Sequence, residues 1–197
     1  MPDEIKSARE IAREKIDGLG EVTEEERLRW KYIPEGETLA NRYLNKGCNL
    51  TEEIKKHDEK AGVYIKEGVE SVLLASIGLP QNEQSESRNK RAMDGLKIIK
   101  VDKAAVEDVL DNIRNIFDHY TGQGKQQREQ TYESLKAEFK NKLDQAIEQQ
   151  LGAVAGLEGN VESLPQFQEE WRRTLVMLDS EYTNILDGYK QELKAII

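Results

Sequence analysis

The C-terminal third of the chain carries large apolar side chains at steps of three and four residues, and this spacing limits the possible folds more than any other feature. The positions are Tyr132, Leu135, Phe139, Leu143, Ala146, Val154 and Leu157, and then Phe167, Trp171, Leu175, Leu178, Tyr182, Ile185, Tyr189, Leu193 and Ile196. Such steps, sustained over several heptads, are typical of a coiled-coil seam. Glu158–Asn160 interrupts the pattern, and so short a turn makes the two helices antiparallel. We therefore predict an antiparallel coiled-coil hairpin over residues 125–158 and 163–197.

Side chains that can cap helices mark where several helices begin. Thr23 followed by Glu26 has the spacing of a capping box, in which each side chain accepts a hydrogen bond from the backbone of the other residue. Ser163 followed by Gln166 has the same spacing, with Pro165 close to the first turn. These signals predict helix starts near residues 23 and 163.

Residues 1–80 are predicted to form a helical region. Pro34 and Gly36 are expected to divide two short helices, because proline lacks the N–H that a helix interior needs. A longer helix is predicted over residues 51–77, with Asn49 or Thr51 as its cap.

The middle of the chain is predicted to connect two helical parts. Residues 81–92 offer almost no side chain that a core could bury, which favours a mobile linker or an exposed helix. Leu96, Ile98, Ile99 and Val101 make a short apolar stretch, which we interpret as a strand-like connector. The predicted division is therefore a helical region (1–80), a polar linker and connector (81–101) and a helical bundle (102–197). The predicted fold class is all-α, an elongated helical bundle that ends in the hairpin.

The charge balance argues against several classes of partner. The net charge is −9 and charged residues make up 34% of the chain. Nucleic-acid surfaces need a concentrated cationic stripe, and anionic membranes repel acidic proteins. There is no secretory signal at the start and no run of 18 apolar residues, so a cytoplasmic protein without a membrane partner is expected. The single cysteine, Cys48, excludes an intrachain disulfide and a multi-cysteine zinc site.

Few residues of this sequence can carry catalytic or metal chemistry. Neither a nucleotide-binding glycine pattern nor a serine-hydrolase elbow is found. Glu53 lies one turn before His57, and these two are weak candidates for metal ligands. Di-iron bundles need Glu three residues before His, and that position holds Ile54. His119 is expected to be a cation favoured by the end of its helix. We predict a protein that is not an enzyme and has no cofactor.

Aromatic residues are the candidates for an interaction surface, since aromatic anchors dominate the energetics of protein contacts. Trp171 lies on the predicted seam and is expected in the core. Trp30 and Tyr32 suit either a core or an interface. The interaction candidates are Trp30, Tyr32, Trp171, Tyr182 and Tyr189.

Three stretches in the first quarter of the chain carry a resemblance to other proteins. They are Ala8–Ala12, Glu24–Arg27 and Leu39–Leu44. In this order of elements the chain resembles small bacterial helical proteins of uncharacterised function. The resemblance implies a bacterial or archaeal cytoplasmic protein and carries no known activity.

Two functions are consistent with these observations. The leading hypothesis is a non-enzymatic scaffold or adaptor that acts through coiled-coil contacts, as a homo-oligomer or with a protein partner. The alternative is a helical bundle that binds a small apolar ligand or a metal ion, with a cavity between the helix from residue 51 and the hairpin. Glu53 and His57 would supply its polar contacts. Reversible binding to lipid surfaces is disfavoured by the acidic balance.

Overall fold

The structure is a computed structural model that describes residues 23–151 and 160–197. Over these residues it is built from helices and contains no strand, which confirms the predicted all-α class. The helices are α1 (Glu24–Lys46), α2 (Leu50–Ile54), α3 (Glu59–Ser76), α4 (Glu83–Ile99), α5 (Lys103–Thr121), α6 (Gln123–Leu151) and α7 (Pro165–Ala195), with a short 3-10 helix at Val161–Ser163. No helix in these ranges has both the length and the apolar content that crossing a membrane would take. The predicted seam positions Val154 and Leu157, and the stretch Ala8–Ala12, lie outside the described residues.

The chain divides into two compact units, residues 1–72 and residues 73–197. The division falls within α3, earlier than the predicted boundary at residue 80.

In the first unit, α1 runs without a break through Pro34, so the predicted division into two short helices is wrong. The predicted capping box of Thr23 and Glu26 at its start is confirmed. A proline inside a helix costs about 3 kcal/mol, and close packing against α3 offsets this cost. A Cβ atom added to Gly36 would overlap the backbone of Ile65. The backbones of α1 and α3 are therefore in direct contact.

The predicted helix over residues 51–77 is two helices, α2 and α3. Asn49, one of the two predicted cap residues, caps α2 by accepting a hydrogen bond from the backbone N–H of Glu52 at 3.3 Å. The side chain of Asp58 accepts a bond from the N–H of Ala61 at 2.8 Å and so begins α3. Because the Asp58 side chain caps the start of α3, it favours a new helix start at this position over continuation of α2. This explains the break between the two helices.

Residues 83–99 form α4, so the predicted strand-like connector is wrong and the polar linker is a helix with a buried face. Asn82 and Ser85 form a capping box at its start, with bonds of 2.9 and 3.0 Å. The residues that α4 buries are Asn89, Ala92, Met93, Gly95, Leu96 and Ile99. Most of the buried side chains lie in the second half of α4, which is why residues 81–92 resembled a linker.

The helices α5, α6 and α7 pack against one another in the second unit. The side chain of Arg128 on α6 pairs with Asp179 on α7, whereas Phe139 further along α6 contacts Phe167 nearer the start of α7. Residues later in α6 therefore contact residues earlier in α7, which means that the two helices are antiparallel. Whether they form a coiled coil stays a prediction.

Two details of α7 differ from the predictions. The predicted capping box of Ser163 and Gln166 is wrong, because Ser163 ends the 3-10 helix and α7 begins at Pro165 with Leu164 as its N-cap. Ile185 was predicted on the seam but is 49% exposed, whereas Leu186 is 1% exposed. An α-helix turns by about 20° per heptad relative to a strict seven-residue repeat, so the buried positions shift along a long helix.

Candidate functional site

A cleft of about 500 Å³ lies between α5 and α7, with Gln127 of α6 at its edge. We call it the α5–α7 cleft. The residues that α5 contributes are Asn112, Asn115, Ile116 and His119. The residues that α7 contributes are Leu178, Glu181, Tyr182, Ile185 and Tyr189. The cleft therefore combines apolar and aromatic surface with a small number of polar groups.

The spacing along each helix explains why these side chains share one cleft. Residues three or four apart lie on the same face of a helix. On α5 this stripe adjoins the apolar face that the unit buries, which includes Val109, Ile113 and Phe117. The cleft is thus the partly exposed margin of the core between α5 and α7.

Tyr182 is the central side chain of the cleft. Its hydroxyl group shares a hydrogen bond of 2.8 Å with Nδ1 of His119. Its ring meets the ring of Tyr120 edge to face, with centroids 5.1 Å apart. Gly124 on α6 leaves room for it, since a Cβ atom there would lie 2.8 Å from the hydroxyl oxygen. Contacts from α5 and α6 therefore fix the position of Tyr182.

An ionic and aromatic cluster adjoins Tyr182. The guanidinium group of Arg128 lies 3.9 Å from the centre of the Tyr120 ring and donates a bond of 3.0 Å to the Tyr120 carbonyl oxygen. Arg128 also pairs with Asp179 at 3.8 Å, and the Tyr120 hydroxyl donates to Asp179 at 3.4 Å. Burial, followed by the negative charge of Asp179, raises the pKa of Tyr120. We call Tyr120, Arg128 and Asp179 the ionic cluster; it joins α5, α6 and α7.

The predicted interaction residues fall into both units. Tyr182 and Tyr189 lie together in the α5–α7 cleft. Trp171 is half-buried, with its ring 5.0 Å from that of Tyr132. In the first unit, Trp30 is 68% exposed and Tyr32 is half-buried. Two of the five candidates therefore meet at one site.

The two weak metal candidates border a smaller cleft of about 290 Å³ in the first unit. Both carboxylate oxygens of Glu53 accept bonds of 2.6 Å, one from Lys56 and one from Arg42, and these bonds lower the pKa of Glu53. His57 Nε2 lies 3.8 Å from a carboxylate oxygen of Glu35. Within residues 23–151 and 160–197, no group of three or more His, Cys, Asp or Glu side chains is placed to hold a metal ion.

Sequence reasoning missed the ionic cluster, although one signal was available. Arg128 lies four residues before Tyr132 and so continues the predicted seam, and Asp179 lies beside the seam position Leu178. Charged residues at such positions often pair with one another or set the register between helices. The polar stripe on α5 gave no comparable signal, because Asn and His at an exposed spacing look like ordinary surface.

A family model described as a family of unknown function, DUF6657, matches residues 51–195. The predicted membership of an uncharacterised family is thereby confirmed, but the match covers this range rather than the first quarter of the chain. No curated protein and no solved structure matches the chain.

Proposed function

Because the chain belongs to DUF6657, a family of unknown function, we propose its function from its structure. We propose that it is a non-enzymatic helical scaffold or adaptor whose α5–α7 cleft binds a protein partner. One observation carries this proposal, namely a preformed cleft of about 500 Å³ lined by half-buried aromatic side chains and by the exposed side chain of Ile185. Ile185 in its lining is 49% exposed and Met177, four residues before Glu181, is 67% exposed. A group of apolar side chains left in water is typical of a site that a partner covers.

The fixed position of Tyr182 supports this use of the cleft. Tyrosine offers a large contact area and loses little conformational freedom on binding. Here the ring is already held by His119, Tyr120 and Gly124, so a partner would spend little free energy in ordering it. Tyr189 lies two turns further along the same helix and provides a second aromatic side chain in the cleft.

The chemistry of the lining supports a role without catalysis. The cleft's described lining includes one titratable base, His119, and one carboxylate, Glu181, and it includes no Ser, Cys or Lys. Nδ1 of His119 is already bonded to Tyr182. Asp179, the carboxylate next to the cleft, is held by Arg128 and Tyr120. Ser and Cys beside a base are common nucleophiles in covalent catalysis, and the described lining has neither.

The proposal includes the setting in which the contact is made. We place the protein in the cytoplasm of a bacterial cell, and we propose coiled-coil contacts of α6 and α7 as a second route to self-association. Cell fractionation tests the location. Size-exclusion chromatography with light scattering tests self-association, and a mass equal to one chain at all concentrations would contradict it.

A matched pair of variants of α7 tests the binding function. Ile185→Asp places a charge in the cleft, whereas Val176→Asp places the same charge on an exposed position of α7 outside the cleft lining. We expect quantitative affinity capture from the native organism to retain a protein partner with the wild type and with Val176→Asp, and to lose it with Ile185→Asp. Equal capture by both variants, or no retained partner at all, would overturn the proposal.

A small apolar ligand is the second candidate, because the volume of the cleft is within the range of small-molecule sites, about 300 to 1,000 Å³. Asn112, Asn115 and His119 would orient such a ligand. Native mass spectrometry of the purified protein decides this candidate: a retained small molecule that Ile185→Asp releases supports it, and a ligand-free mass speaks against it. The related proposal of a bound metal ion is tested by metal analysis of the same sample.

A further inference from the structure

We infer that the occupant of the α5–α7 cleft is a basic amphipathic helix of a partner protein. Its apolar side chains would enter the cleft, and its Lys or Arg side chains would pair with carboxylates at the rim. This inference rests on the proposed function, since it identifies the partner of the same site.

The charge of the cleft is the first argument. Glu181 is in the lining, and the described lining residues include neither Lys nor Arg. On α5, Asp108 lies four residues before Asn112 and so extends the same stripe. On α7, Glu192 lies three residues after Tyr189 and extends that stripe as well. Asp108, Glu181 and Glu192 are exposed, and among the described residues none of the three carboxylates has an ion-pair partner.

The direction of the helices brings two of these carboxylates to the same end. His119, at the end of α5, contacts Tyr182 near the middle of α7, whereas the backbone N–H of Val101, just before α5, donates a bond of 3.0 Å to the carbonyl oxygen of Ile197. The two helices are therefore antiparallel. Asp108 and Glu192 extend the two stripes toward one end of the cleft, and Glu181 lies toward the other end. A bound segment would meet negative charge at both ends.

The dimensions of the cleft favour a helix as the bound segment. Leu178 and Tyr189 are eleven residues apart, which corresponds to about 16 Å along the helix axis at 1.5 Å per residue. This length matches about three turns of a bound helix, which present apolar anchors at positions i, i+3 or i+4, and i+7. A hydrophobic groove is a recurrent receptor for such an amphipathic helix.

Charge also argues against the other occupants. The chain has a net charge of −9, and a symmetric contact between two copies through this cleft would place Glu181 and its acidic neighbours close to their own counterparts. Like charges facing each other weaken an interface and slow association. Nucleic acids and anionic lipid surfaces meet the same repulsion. A cationic protein segment is the occupant that the surface attracts.

Three matched peptides test the inference with the full-length protein. They are synthetic helical peptides with the same leucine positions, whose remaining faces carry Lys and Arg, Gln, or Glu. Fluorescence anisotropy measures binding of each. We expect the basic peptide to bind at least about tenfold more tightly than the acidic one. This preference is expected to shrink between about 50 mM and 300 mM salt, because salt screens exposed charges.

Variants of the protein assign the preference to the cleft. Glu181→Gln and Asp108→Asn are each expected to weaken the basic peptide about two- to fivefold, and Glu181→Lys about tenfold. Glu170→Gln removes an exposed carboxylate of α7 outside the cleft lining and serves as the control, with unchanged binding expected. Ile185→Asp is expected to abolish peptide binding.

The outcomes separate this inference from the proposed function. Equal binding of the basic and acidic peptides, or a preference that Glu181→Lys leaves unchanged, overturns the inference and leaves the proposed function standing. Failure of all three peptides to bind also overturns it, and the capture experiment with Ile185→Asp and Val176→Asp then decides the proposed function separately. A dimer of the chain that Ile185→Asp dissociates would identify a second copy as the occupant and would likewise overturn the inference.

Discussion

The side chain of Asn89 on α4 is almost completely buried, and both polar atoms of its amide group form hydrogen bonds. Its oxygen accepts a bond of 2.9 Å from the N–H of Gly78, and its nitrogen donates a bond of 2.7 Å to the Gly78 carbonyl oxygen. Asn89→Ala leaves both backbone groups without these partners, so we predict a loss of about 2 kcal/mol in the free energy of unfolding. Urea denaturation followed by circular dichroism measures it. Asn112→Ala, at an exposed position of α5, should change the value by less than about 0.5 kcal/mol.

Glu162, in the 3-10 helix, gives the second prediction at the scale of single residues. Its carboxylate accepts a bond of 2.6 Å from Lys136 and one of 2.9 Å from Tyr132, and these bonds lower its pKa. A carboxyl group whose pKa is lower in the folded state stabilises the fold above its unfolded pKa, and this contribution is lost as the pH falls through the folded pKa.

Glu162→Gln should therefore destabilise the protein at pH 7 and make little difference at a pH below the folded pKa. Urea denaturation of both proteins at pH 7 and at about pH 3 checks this: the difference in stability should be smaller at pH 3, which lies below the unfolded pKa of Glu, about 4.3. A difference in stability between the two proteins that stays the same at both pH values would show that the charge of Glu162 contributes nothing.

At the scale of elements, the contact between α1 and α3 depends on two glycines. A Cβ atom at Gly36 would overlap the carbonyl group of Ile65, and one at Gly68 would overlap the carbonyl oxygen of Ile33. Alanine favours a helix by about 1 kcal/mol over glycine. We nevertheless predict that Gly36→Ala and Gly68→Ala each lower the free energy of unfolding, by about 2 kcal/mol, because backbone atoms cannot move aside as a flexible side chain can.

Gly62, also in α3, is the matched control for this prediction. The nearest atom to an added Cβ there is a methyl carbon of Ile54 at 4.0 Å, which is ordinary contact. Gly62→Ala should therefore stabilise the protein by up to about 1 kcal/mol. The three alanine variants are compared by thermal and urea unfolding. Stabilisation by all three would mean that α1 and α3 do not touch at Gly36 and Gly68.

The elements that the sequence predicted correctly are those whose stability comes from their own periodicity and caps. The caps at Thr23 and Asn49 are of this kind. Two of the errors, at Pro34 and in α4, involve contacts between residues that are not neighbours in sequence. Pro34 is tolerated because of the packing of α1 on α3, and α4 is anchored through the bond between Asn89 and Gly78, eleven residues apart. Periodicity within one helix carries no information about such contacts.

The same limit applies to the candidate site. The seam pattern identified Tyr182 and Tyr189, because large aromatic residues at helical spacing stand out. It did not identify the opposite wall, where Asn112 and His119 lie. That wall depends on which residues of α5 lie beside α7, and this register is set by packing of the whole unit.

At the scale of the whole molecule, the family match indicates which of the described sites belongs to the family. The matched range, residues 51–195, includes the α5–α7 cleft and the ionic cluster. Trp30 and Tyr32 lie outside it. A function common to the family is therefore better sought in the second unit than around the exposed tryptophan of the first.

The ionic cluster leads to a prediction about the second unit as a whole. The side chains of Arg128 and Asp179 are only 17% and 22% exposed, and together with Tyr120 they join three helices. Removing one partner of a largely buried ion pair leaves the other charge without compensation, whereas replacing both by apolar residues is often nearly neutral. We predict that Arg128→Met alone lowers the free energy of unfolding by about 3 kcal/mol, and that Arg128→Met with Asp179→Leu recovers more than half of this loss.

Urea denaturation of Arg128→Met, Asp179→Leu and the double variant gives the coupling free energy between the two positions. Hydrogen exchange shows which helices lose stability. We expect the single variant to lose amide protection in α5, α6 and α7 together, because all three helices meet at the cluster. Arg173→Met, which breaks the exposed pair with Glu169 on α7, is the control and should cost less than about 0.5 kcal/mol. A double variant as unstable as the sum of its two single variants would mean that Arg128 and Asp179 act independently. In that case the three helices would be held together by their apolar faces alone.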